Sequence, residues 1–385
     1  MTKKRTRLVV DGEVLVMPHF SGIGHYTLEL LRALDDLLDD DPNVKVSMFV
    51  YFKRVSAAKA YGFRNIKIIP SPFSLRISNG LKIRGKQPPL DLLFGKGIYL
   101  FPNFTSWPLR RSLSVPVIYD LSYEKFPQFA DPRNQEFLST QVKTATARAD
   151  YVATISENSK KEIVEFYGVP EKKIGVFYPA IDQRKFFRRP ASEVEAVKER
   201  YGIRGSYILF VGNIEPRKNL KNILLAYEAL PADIRKSNSL LLIGAKGWQD
   251  GEIFDIIDRL KSQGNSIQLP DKYVQDDDLP AFYSGASVFV YPSMYEGFGM
   301  PALEALSCGV PVVSADNSSL PEVVGDAALL VDALSPTEIA EAIKKVLTDE
   351  KLRESLIKRG FRQADTFSWT HAAKELLETV KGLQK

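Results

Sequence analysis

The chain has 385 residues, of which 44% are hydrophobic and 26% are charged. This length favours two domains, and the composition is that of a soluble globular protein. No apolar run reaches the roughly 20 residues that a membrane-spanning helix needs, and no signal-peptide apolar segment follows the basic residues 1–7. We therefore predict a cytoplasmic protein, and its single cysteine, Cys308, excludes an internal disulfide.

The charge is divided unevenly along the chain. Residues 1–185 hold 28 Lys and Arg against 19 Asp and Glu (+9), and residues 186–385 hold 24 against 28 (−4), which together give the net charge of +5. A basic first half suits an anionic membrane surface, a pyrophosphate-bearing acceptor or nucleic acid, or is simply a solvated basic surface. We predict no nucleic-acid partner, because the sequence has no recognition-helix, zinc-ligand or RNP pattern.

Predicted strands and helices alternate in the first half. The strands are 7–10, 44–51, 98–101, 115–119 and 151–155, and the helices are 25–38, 133–148 and 157–167. This alternation is typical of a parallel, doubly wound sheet.

The second half repeats the pattern. Its predicted strands are 206–211, 239–243, 266–269, 287–291 and 311–313, its helices are 219–229, 250–262, 278–284 and 301–307, and further helices fill most of 336–383. Residues 178–201, with two prolines and a basic cluster, are interpreted as a hinge. The predicted fold class is α/β with two Rossmann-like domains, 1–185 and 186–367, and a final helix, 368–385.

The segment from Glu296 to Glu304 places two carboxylates eight positions apart around a glycine-containing loop that runs into a helix. Gly297 and Gly299 let the backbone approach a ligand, and the helix N-terminus attracts an anion such as phosphate. Solvated surface charges are the alternative. The strand before the segment and the strand after it form a βαβ unit, and such units bind ligands beyond the carboxyl ends of their strands.

Two further motifs suit a phosphorylated ligand. Arg217 and Lys218 follow the strand 206–211, where two fixed cations can neutralise a departing pyrophosphate, although an exposed surface pair is the alternative. Gly22-Ile23-Gly24 is interpreted as a loop that opens a helix, and its amides can meet the same diphosphate. A tight turn with positive φ explains these glycines equally well.

Five blocks then occur in an order typical of one enzyme family: Gly22-Ile-Gly-His-Tyr, Ile155-Ser-Glu-Asn-Ser, Tyr178-Pro-Ala-Ile-Asp, Val211-Gly-Asn-Ile-Glu-Pro-Arg-Lys-Asn-Leu, and Glu296 to Glu304. Each block alone is weak evidence for the family, but five such blocks in the same order are hard to explain by chance. On these blocks nearly the whole chain resembles family 4 of the retaining glycosyltransferases, and specifically bacterial polysaccharide mannosyltransferases. The resemblance implies the GT-B architecture, in which two Rossmann-like domains face each other across a cleft.

The resemblance also implies roles for matching residues. Arg217 and Lys218, which contact the donor diphosphate, and Glu296, which contacts the donor sugar, are candidate catalytic residues. Glu304 accepts hydrogen bonds from the ribose. The other donor-binding positions that it implies are Gly22, Ile23, Gly24, Asp120, Gly212, Asn213, Tyr273, Val274, Gly297, Phe298, Gly299, Met300 and Leu303.

The chain departs from this family where members commonly carry His-Asp, because it has Tyr119-Asp120. A phenol with an ordinary pKa near 10 cannot shuttle protons at neutral pH as a histidine does. Retention in the family is usually ascribed to same-face attack, with the donor phosphate accepting the proton, so the histidine need not be the base. We keep Tyr119 as a candidate catalytic residue.

We predict that no metal or other cofactor is needed. The sequence lacks a strand-end Asp-x-Asp of the kind that bridges Mg²⁺ or Mn²⁺ to a diphosphate. Its acidic triplets are interpreted as structural: Asp276 to Asp278 as the N-cap and first-turn charge of a helix, and Asp39 to Asp41 as a connection.

The prediction is a retaining, metal-independent transferase that moves a hexosyl unit to a glycan or lipid-linked acceptor. Mannosyl from GDP-mannose is preferred over UDP-hexoses as the donor. A non-catalytic sugar-nucleotide-binding protein and a nucleotide-sugar epimerase of the same fold are the alternatives. Residues 71–97, together with Trp107 and the pair Arg110-Arg111, are a candidate acceptor-contact or membrane-contact region, and a disordered surface segment is the alternative for residues 71–97.

Overall fold

The computed structural model describes residues 5–17, 22–73, 77, 80, 81, 86–129, 131–245 and 251–384. The chain forms two compact units. Unit 1 comprises Met1–Pro179 with Ser368–Lys385, and unit 2 comprises Ala180–Phe367. Residues 180–185, which the sequence analysis assigns to the first domain, therefore belong to unit 2.

Unit 1 is built on a parallel sheet. Its strands are β1 (Thr6–Asp11), β2 (Val44–Tyr51), β3 (Ile66–Ser71), β4 (Ile98–Phe101), β5 (Leu113–Ile118), β6 (Val152–Thr154) and β7 (Ile174–Val176). They lie in the order β3-β2-β1-β4-β5-β6-β7, so the strand order reverses between β1 and β4. Val10 of β1 pairs with Met48 on one side and with Leu100 on the other. Strands β3 and β7 have no counterpart in the sequence prediction.

The α-helices described in unit 1 are α1 (Gly22–Leu37), α2 (Val55–Lys59), α3 (Asp91–Phe94), α4 (Ser122–Lys125), α5 (Pro132–Arg148) and α6 (Glu157–Tyr167), and the last helix, Trp369–Gly382. The last helix packs on α1, where the Trp369 and Tyr26 rings lie 5.5 Å apart. Within the described parts of the chain, no helix is long and apolar enough to cross a membrane.

Trp107 does not form the predicted surface contact. It is 2% exposed and belongs to a core cluster with Phe49, Phe94 and Tyr99, so its ring stabilises unit 1. Arg110 and Arg111 are exposed, and their backbone amides donate to the Asp91 carboxylate. Arg76, Lys82 and Arg84 of the candidate contact region lie outside the described residues.

Unit 2 is built on a second parallel sheet. Its strands are β8 (Ser206–Val211), β9 (Asn238–Ile243), β10 (Ile267–Gln268), β11 (Val288–Tyr291), β12 (Val312–Ala315) and β13 (Ala328–Val331). They lie in the order β10-β9-β8-β11-β12-β13, which reverses between β8 and β11. Strand β13 has no counterpart in the sequence prediction.

The α-helices described in unit 2 are α7 (Ala191–Arg200), α8 (Leu220–Ala229), α9 (Ala232–Ser237), α10 (Gly251–Ser262), α11 (Leu279–Gly285), α12 (Met300–Ser307), α13 (Leu320–Val324), α14 (Pro336–Thr348) and α15 (Glu350–Asp365). The hinge predicted at 178–201 is wrong over α7. Pro190 is the N-cap of that helix, a place where proline starts a helix rather than breaking one.

Candidate functional site

The strand order of unit 2 places its predicted site residues together. β8 and β11 are neighbours at the point where the order reverses, with Ile208 beside Val288. Arg217 and Lys218 follow β8, and Glu296 follows β11. In open α/β sheets, ligands bind outside the carboxyl ends of the strands at such a reversal.

Arg217, Lys218 and Glu296 form one ion-pair cluster. Arg217 Nη1 donates to Glu296 Oε2 at 3.0 Å and to the Tyr295 carbonyl oxygen at 2.7 Å. Lys218 Nζ donates to Glu296 Oε1 at 2.7 Å. Arg217 Nη2 donates to Glu215 Oε1 at 2.8 Å. Two cations and two carboxylates thus balance in charge, and each cation is held in a fixed geometry.

The pKa values in this cluster follow from burial and from the ion pairs. Burial alone would raise the pKa of Glu296, which is 7% exposed, but Lys218 and Arg217 outweigh it and lower the pKa to about 2. Burial lowers the pKa of Lys218, and Glu296 opposes that effect. Burial would also lower the pKa of Arg217, but Glu296 and Glu215 raise it above its ordinary value. Glu296 is therefore a carboxylate at any physiological pH.

Neighbouring serine and asparagine side chains hold the loop before α12. Ser319 Oγ donates to the carbonyl oxygens of Glu296 (2.9 Å) and Phe298 (2.7 Å). Ser318 Oγ accepts from the Glu296 amide at 3.0 Å. Asn219 Nδ2 donates to the Pro292 carbonyl oxygen at 2.8 Å. Buried hydrogen bonds of this kind fix the backbone of the loop.

Gly299 is needed for the turn into α12. Its φ is 109°, and a Cβ atom there would lie 2.6 Å from Leu320 Cδ2. Glycine is therefore required at position 299 both by the backbone conformation of the turn and by the close approach of Leu320. The Leu303 amide, which the resemblance assigns to the donor, donates to the Gly299 carbonyl oxygen at 3.4 Å. Met300 N–H is one of the first-turn amides that a helix leaves without an intrahelical acceptor.

Glu304 lies on α12 and is partly buried. Its Oε2 accepts from the buried Tyr283 hydroxyl at 2.8 Å. Burial raises the pKa of Glu304 to about 7, although the Tyr283 hydrogen bond and the charge of Lys185 act in the opposite direction. This carboxyl therefore titrates near neutral pH.

The loop that carries Tyr273 and Val274 precedes α11. Tyr273 is 69% exposed and Val274 is buried. Asp278 is the N-cap residue of α11, as predicted, but its carboxylate makes no capping hydrogen bond and instead accepts from Arg200 Nη1 (2.8 and 3.0 Å) and from the Tyr201 hydroxyl (2.7 Å). These hydrogen bonds connect the end of the loop to α7.

Within the described ranges, no group of three or more His, Cys, Asp or Glu side chains is arranged to hold a metal ion.

Two other predicted donor-binding residues follow β8. The Gly212 amide donates to the Ile243 carbonyl oxygen at 2.9 Å, and Asn213 is exposed. A Cβ atom at Gly244 would lie 1.9 Å from the Gly212 carbonyl oxygen, so glycine is required where these two chain segments meet.

Gly22, Ile23 and Gly24 form the first turn of α1 rather than a loop before it, and neither glycine has a positive φ. The tight-turn alternative is therefore wrong. First-turn amides lack intrahelical acceptors, so donation to an anion stays a prediction. Gly297 and Phe298, in the loop before α12, likewise keep their donor-binding role as a prediction.

Tyr119 and Asp120, also in unit 1, make contacts within the protein. Tyr119 is buried, and its hydroxyl donates to the Pro102 carbonyl oxygen at 3.2 Å. Burial raises the pKa of Tyr119 well above its ordinary value. Asp120 Oδ1 accepts from the amide and the hydroxyl of Ser122. Tyr119 is therefore a neutral phenol.

Sequence reasoning missed the side chains that support the site. They are Glu215, Asn219, Tyr283, Tyr291 and Ser319. Both tyrosines look like ordinary core aromatics in the sequence. Glu215 and Asn219 lie within the block from Val211 to Leu220, and Ser319 lies in the short loop after β12 at the same edge of the sheet, but no sequence pattern gave them a supporting role.

The comparison with known proteins identifies the family. The profile described as "Glycosyl transferases group 1" matches residues 195–363. An "O-antigen chain mannosyltransferase B" from Escherichia coli is 36% identical over 285 residues, which cover 74% of this chain and 74% of that protein. The chain belongs to the glycosyl transferases group 1 family. The predicted enzyme class, a glycosyltransferase, is confirmed.

Other relatives of this glycosyltransferase differ in length or in sequence. A "Serotype-specific mannosyltransferase WbdA" from Escherichia coli is 30% identical over 91% of this chain, which spans 42% of that protein. The structure of HepE from Anabaena in complex with UDP has a TM-score of 0.72 at 14% identity, and the match covers 98% of this chain and 100% of that one. The predicted α/β fold class, GT-B with two Rossmann-like parallel sheets, is confirmed.

Proposed function

We propose that this glycosyltransferase moves a hexosyl unit, preferably mannosyl, from a nucleoside-diphosphate sugar to a glycan or lipid-linked acceptor. We propose further that the reaction retains the anomeric configuration and needs no metal. The main support is the Arg217, Lys218 and Glu296 cluster at the strand-order reversal of unit 2. The mannosyltransferase relatives support the choice of sugar.

The cluster suits a departing diphosphate. Lys218 Nζ uses two of its three N–H groups within the cluster, and the Arg217 hydrogen bonds above use three of five. The remaining donors can meet phosphate oxygens as negative charge develops on the leaving group. Because the cations are already held in place, little reorganisation accompanies the reaction.

In this proposal, Glu296 and Glu304 contact different parts of the donor. Glu296, ionised at all relevant pH values, contacts the sugar. Glu304 accepts hydrogen bonds from the ribose hydroxyls once it has lost its proton, and a carboxylate is a strong acceptor for such groups. The backbone near Tyr273 and Val274 contacts the edge of the base.

The central test is a transfer assay with GDP-mannose and the variant Arg217→Ala. Transfer should fall by about 10²- to 10³-fold, as expected when one group that stabilises the transition-state charge is lost. Unchanged secondary structure by circular dichroism is the control for folding. Near-normal transfer with an intact fold would remove this cluster from the mechanism.

Four further measurements address the finer parts of the proposal. Donor hydrolysis by the wild type distinguishes an enzyme from a non-catalytic sugar-nucleotide-binding protein. NMR of the product gives its anomeric configuration, and EDTA should leave transfer unchanged. A thermal-shift panel of GDP, UDP and ADP identifies the base, because ligand at 100 times its Kd adds about 2.7 kcal/mol of stability.

We also propose that unit 1 contacts an anionic membrane surface where its acceptor is lipid-linked. Exposed Phe52 lies beside Lys53 and Arg54 in the chain, and Leu92 and Leu93 are also exposed. Binding to phosphatidylglycerol vesicles that weakens at high salt would support this part, and equal binding to neutral vesicles would contradict it.

A further inference from the structure

The Tyr291 hydroxyl lies inside the charged cluster. Tyr291 is the last residue of β11 and is fully buried. Its hydroxyl accepts from Lys218 Nζ at 2.7 Å and donates to Glu296 Oε1 at 2.8 Å. Since Lys218 Nζ also donates to Glu296 Oε1, the three polar atoms form a closed triangle.

The direction of each hydrogen bond in this triangle is determined. Burial raises the pKa of Tyr291 well above its ordinary value, so the phenol keeps its proton. A charged lysine can only donate and an ionised carboxylate can only accept. The Tyr291 hydroxyl must therefore accept from Lys218 and donate to Glu296, and it links the two charged groups.

The Tyr291 ring is held independently of its hydroxyl. Its centroid lies 5.6 Å from that of Phe289 and 6.4 Å from that of Phe210. Lys218, in contrast, has a flexible four-carbon side chain whose ordering costs entropy. A hydroxyl on a fixed ring can thus determine where the Lys218 amino group lies before any substrate binds.

We propose that Tyr291 is a positioning residue for sugar transfer, whose hydroxyl fixes the Lys218 amino group and the Glu296 carboxylate in the geometry that meets the donor. This inference rests on the proposed function, because it needs Lys218 to contact the donor diphosphate. Preorganised charge acts mainly in the transition state, so losing the hydroxyl should lower kcat more than it raises the donor KM.

The test compares Tyr291→Phe with wild type in a GDP-mannose transfer assay, or with UDP-glucose if that nucleotide stabilises the protein more. The charged groups that face Lys218 are Glu296, Arg217 and Glu215. Removing the Tyr291 acceptor destabilises the charged lysine among them. We expect kcat to fall about tenfold, the donor KM to change by less than about threefold, and the alkaline limb of kcat/KM to move to lower pH.

The matched control is Tyr207→Phe, which removes another buried hydroxyl of unit 2 that donates to the Phe282 carbonyl oxygen at 2.9 Å. It should leave both kcat and the alkaline limb unchanged. If the alkaline limb of the kcat/KM profile lies at the same pH or at a higher pH in Tyr291→Phe than in the wild type, the inference is overturned, however far the activity falls. If the wild type transfers no hexosyl unit, the proposed function itself fails. If Arg217→Ala retains transfer, the cluster has no part in the mechanism and the positioning role fails with it. If only Tyr291→Phe behaves like the wild type, the positioning role fails alone.

Discussion

The two ends of the segment from Glu296 to Glu304 hold the same side chain in opposite electrostatic surroundings. Glu296 faces Lys218 and Arg217 and has a pKa lowered to about 2, whereas Glu304 accepts from a neutral tyrosine and has a pKa raised to about 7. Burial acts in the same direction on both carboxyls, so the difference comes from their partners. Spacing in a motif therefore does not reveal the charge state of its members.

The largest effect should come from Glu296→Gln. This change leaves Arg217 and Lys218 partly buried without their shared carboxylate, and breaking a buried ion pair costs about 3 to 5 kcal/mol. We expect a clear loss in the free energy of unfolding, measured in urea at pH 7.5, and a fall in transfer of about 10²-fold or more. A variant as stable as the wild type would mean that the cations do not depend on Glu296.

Glu304→Gln should contrast with that result. We expect kcat to stay close to that of the wild type and the donor KM to rise about tenfold, which corresponds to the loss of about 1.4 kcal/mol of hydrogen bonding to the ribose. Initial-rate kinetics with GDP-mannose separate the two parameters. An unchanged KM would contradict the assignment of Glu304 to the ribose.

The pH dependence of stability should have opposite signs at the two carboxyls. The folded pKa of Glu304, about 7, exceeds the ordinary value of 4.5, so its contribution to stability is present below pH 4.5 and is lost as the pH rises through 7. The folded pKa of Glu296, about 2, lies below 4.5, so its contribution is present above pH 4.5 and is lost as the pH falls through 2. Each shift corresponds to about 3 kcal/mol at most.

The Glu304 part of this prediction is measured by urea unfolding of wild type and Glu304→Gln at pH 5 and pH 8. The variant should gain stability relative to the wild type between these pH values, because glutamine carries no charge to bury. A stability difference that is constant with pH would contradict the raised pKa.

Tyr283→Phe should give the smallest effect. The Tyr283 hydrogen bond lowers the pKa of Glu304, so its loss should raise that pKa further and move the acid limb of donor binding to higher pH. The cost in stability should be about 1 kcal/mol, which is typical of one hydrogen bond. GDP titrations from pH 6 to 8.5 measure the shift, and Tyr207→Phe is again the control.

The sequence was sufficient for the alternation of strands and helices, because buried parallel strands appear as short β-branched runs. Strands 44–51, 98–101 and 206–211 have the predicted bounds. The edge strands β3, β7 and β13 were missed. β3 is interrupted by Lys67 and Pro70, and β7 and β13 have only three or four residues at the edge of a sheet. Helix α7 was missed because Pro190 was interpreted as a linker residue.

The residues of the site that were predicted are those that the family resemblance supplies. Arg217, Lys218 and Glu296 are indeed together, but their mutual pairing is a property of tertiary structure. Tyr291 and Tyr283 lie in apolar runs, where an aromatic residue predicts a core position and nothing about its hydroxyl. Trp107 shows the converse error, because an aromatic residue near two arginines was interpreted as a surface residue and lies in the core.

The return of the last helix, Trp369–Gly382, to unit 1 has a consequence for synthesis on the ribosome. Unit 2 is one continuous segment, Ala180–Phe367, and is complete before this helix is made. Unit 1 lacks this helix, which packs on α1 and buries Ala373 and Leu376, until the rest of the chain has been translated. The usual order, in which the N-terminal domain folds first, is therefore reversed for its final step.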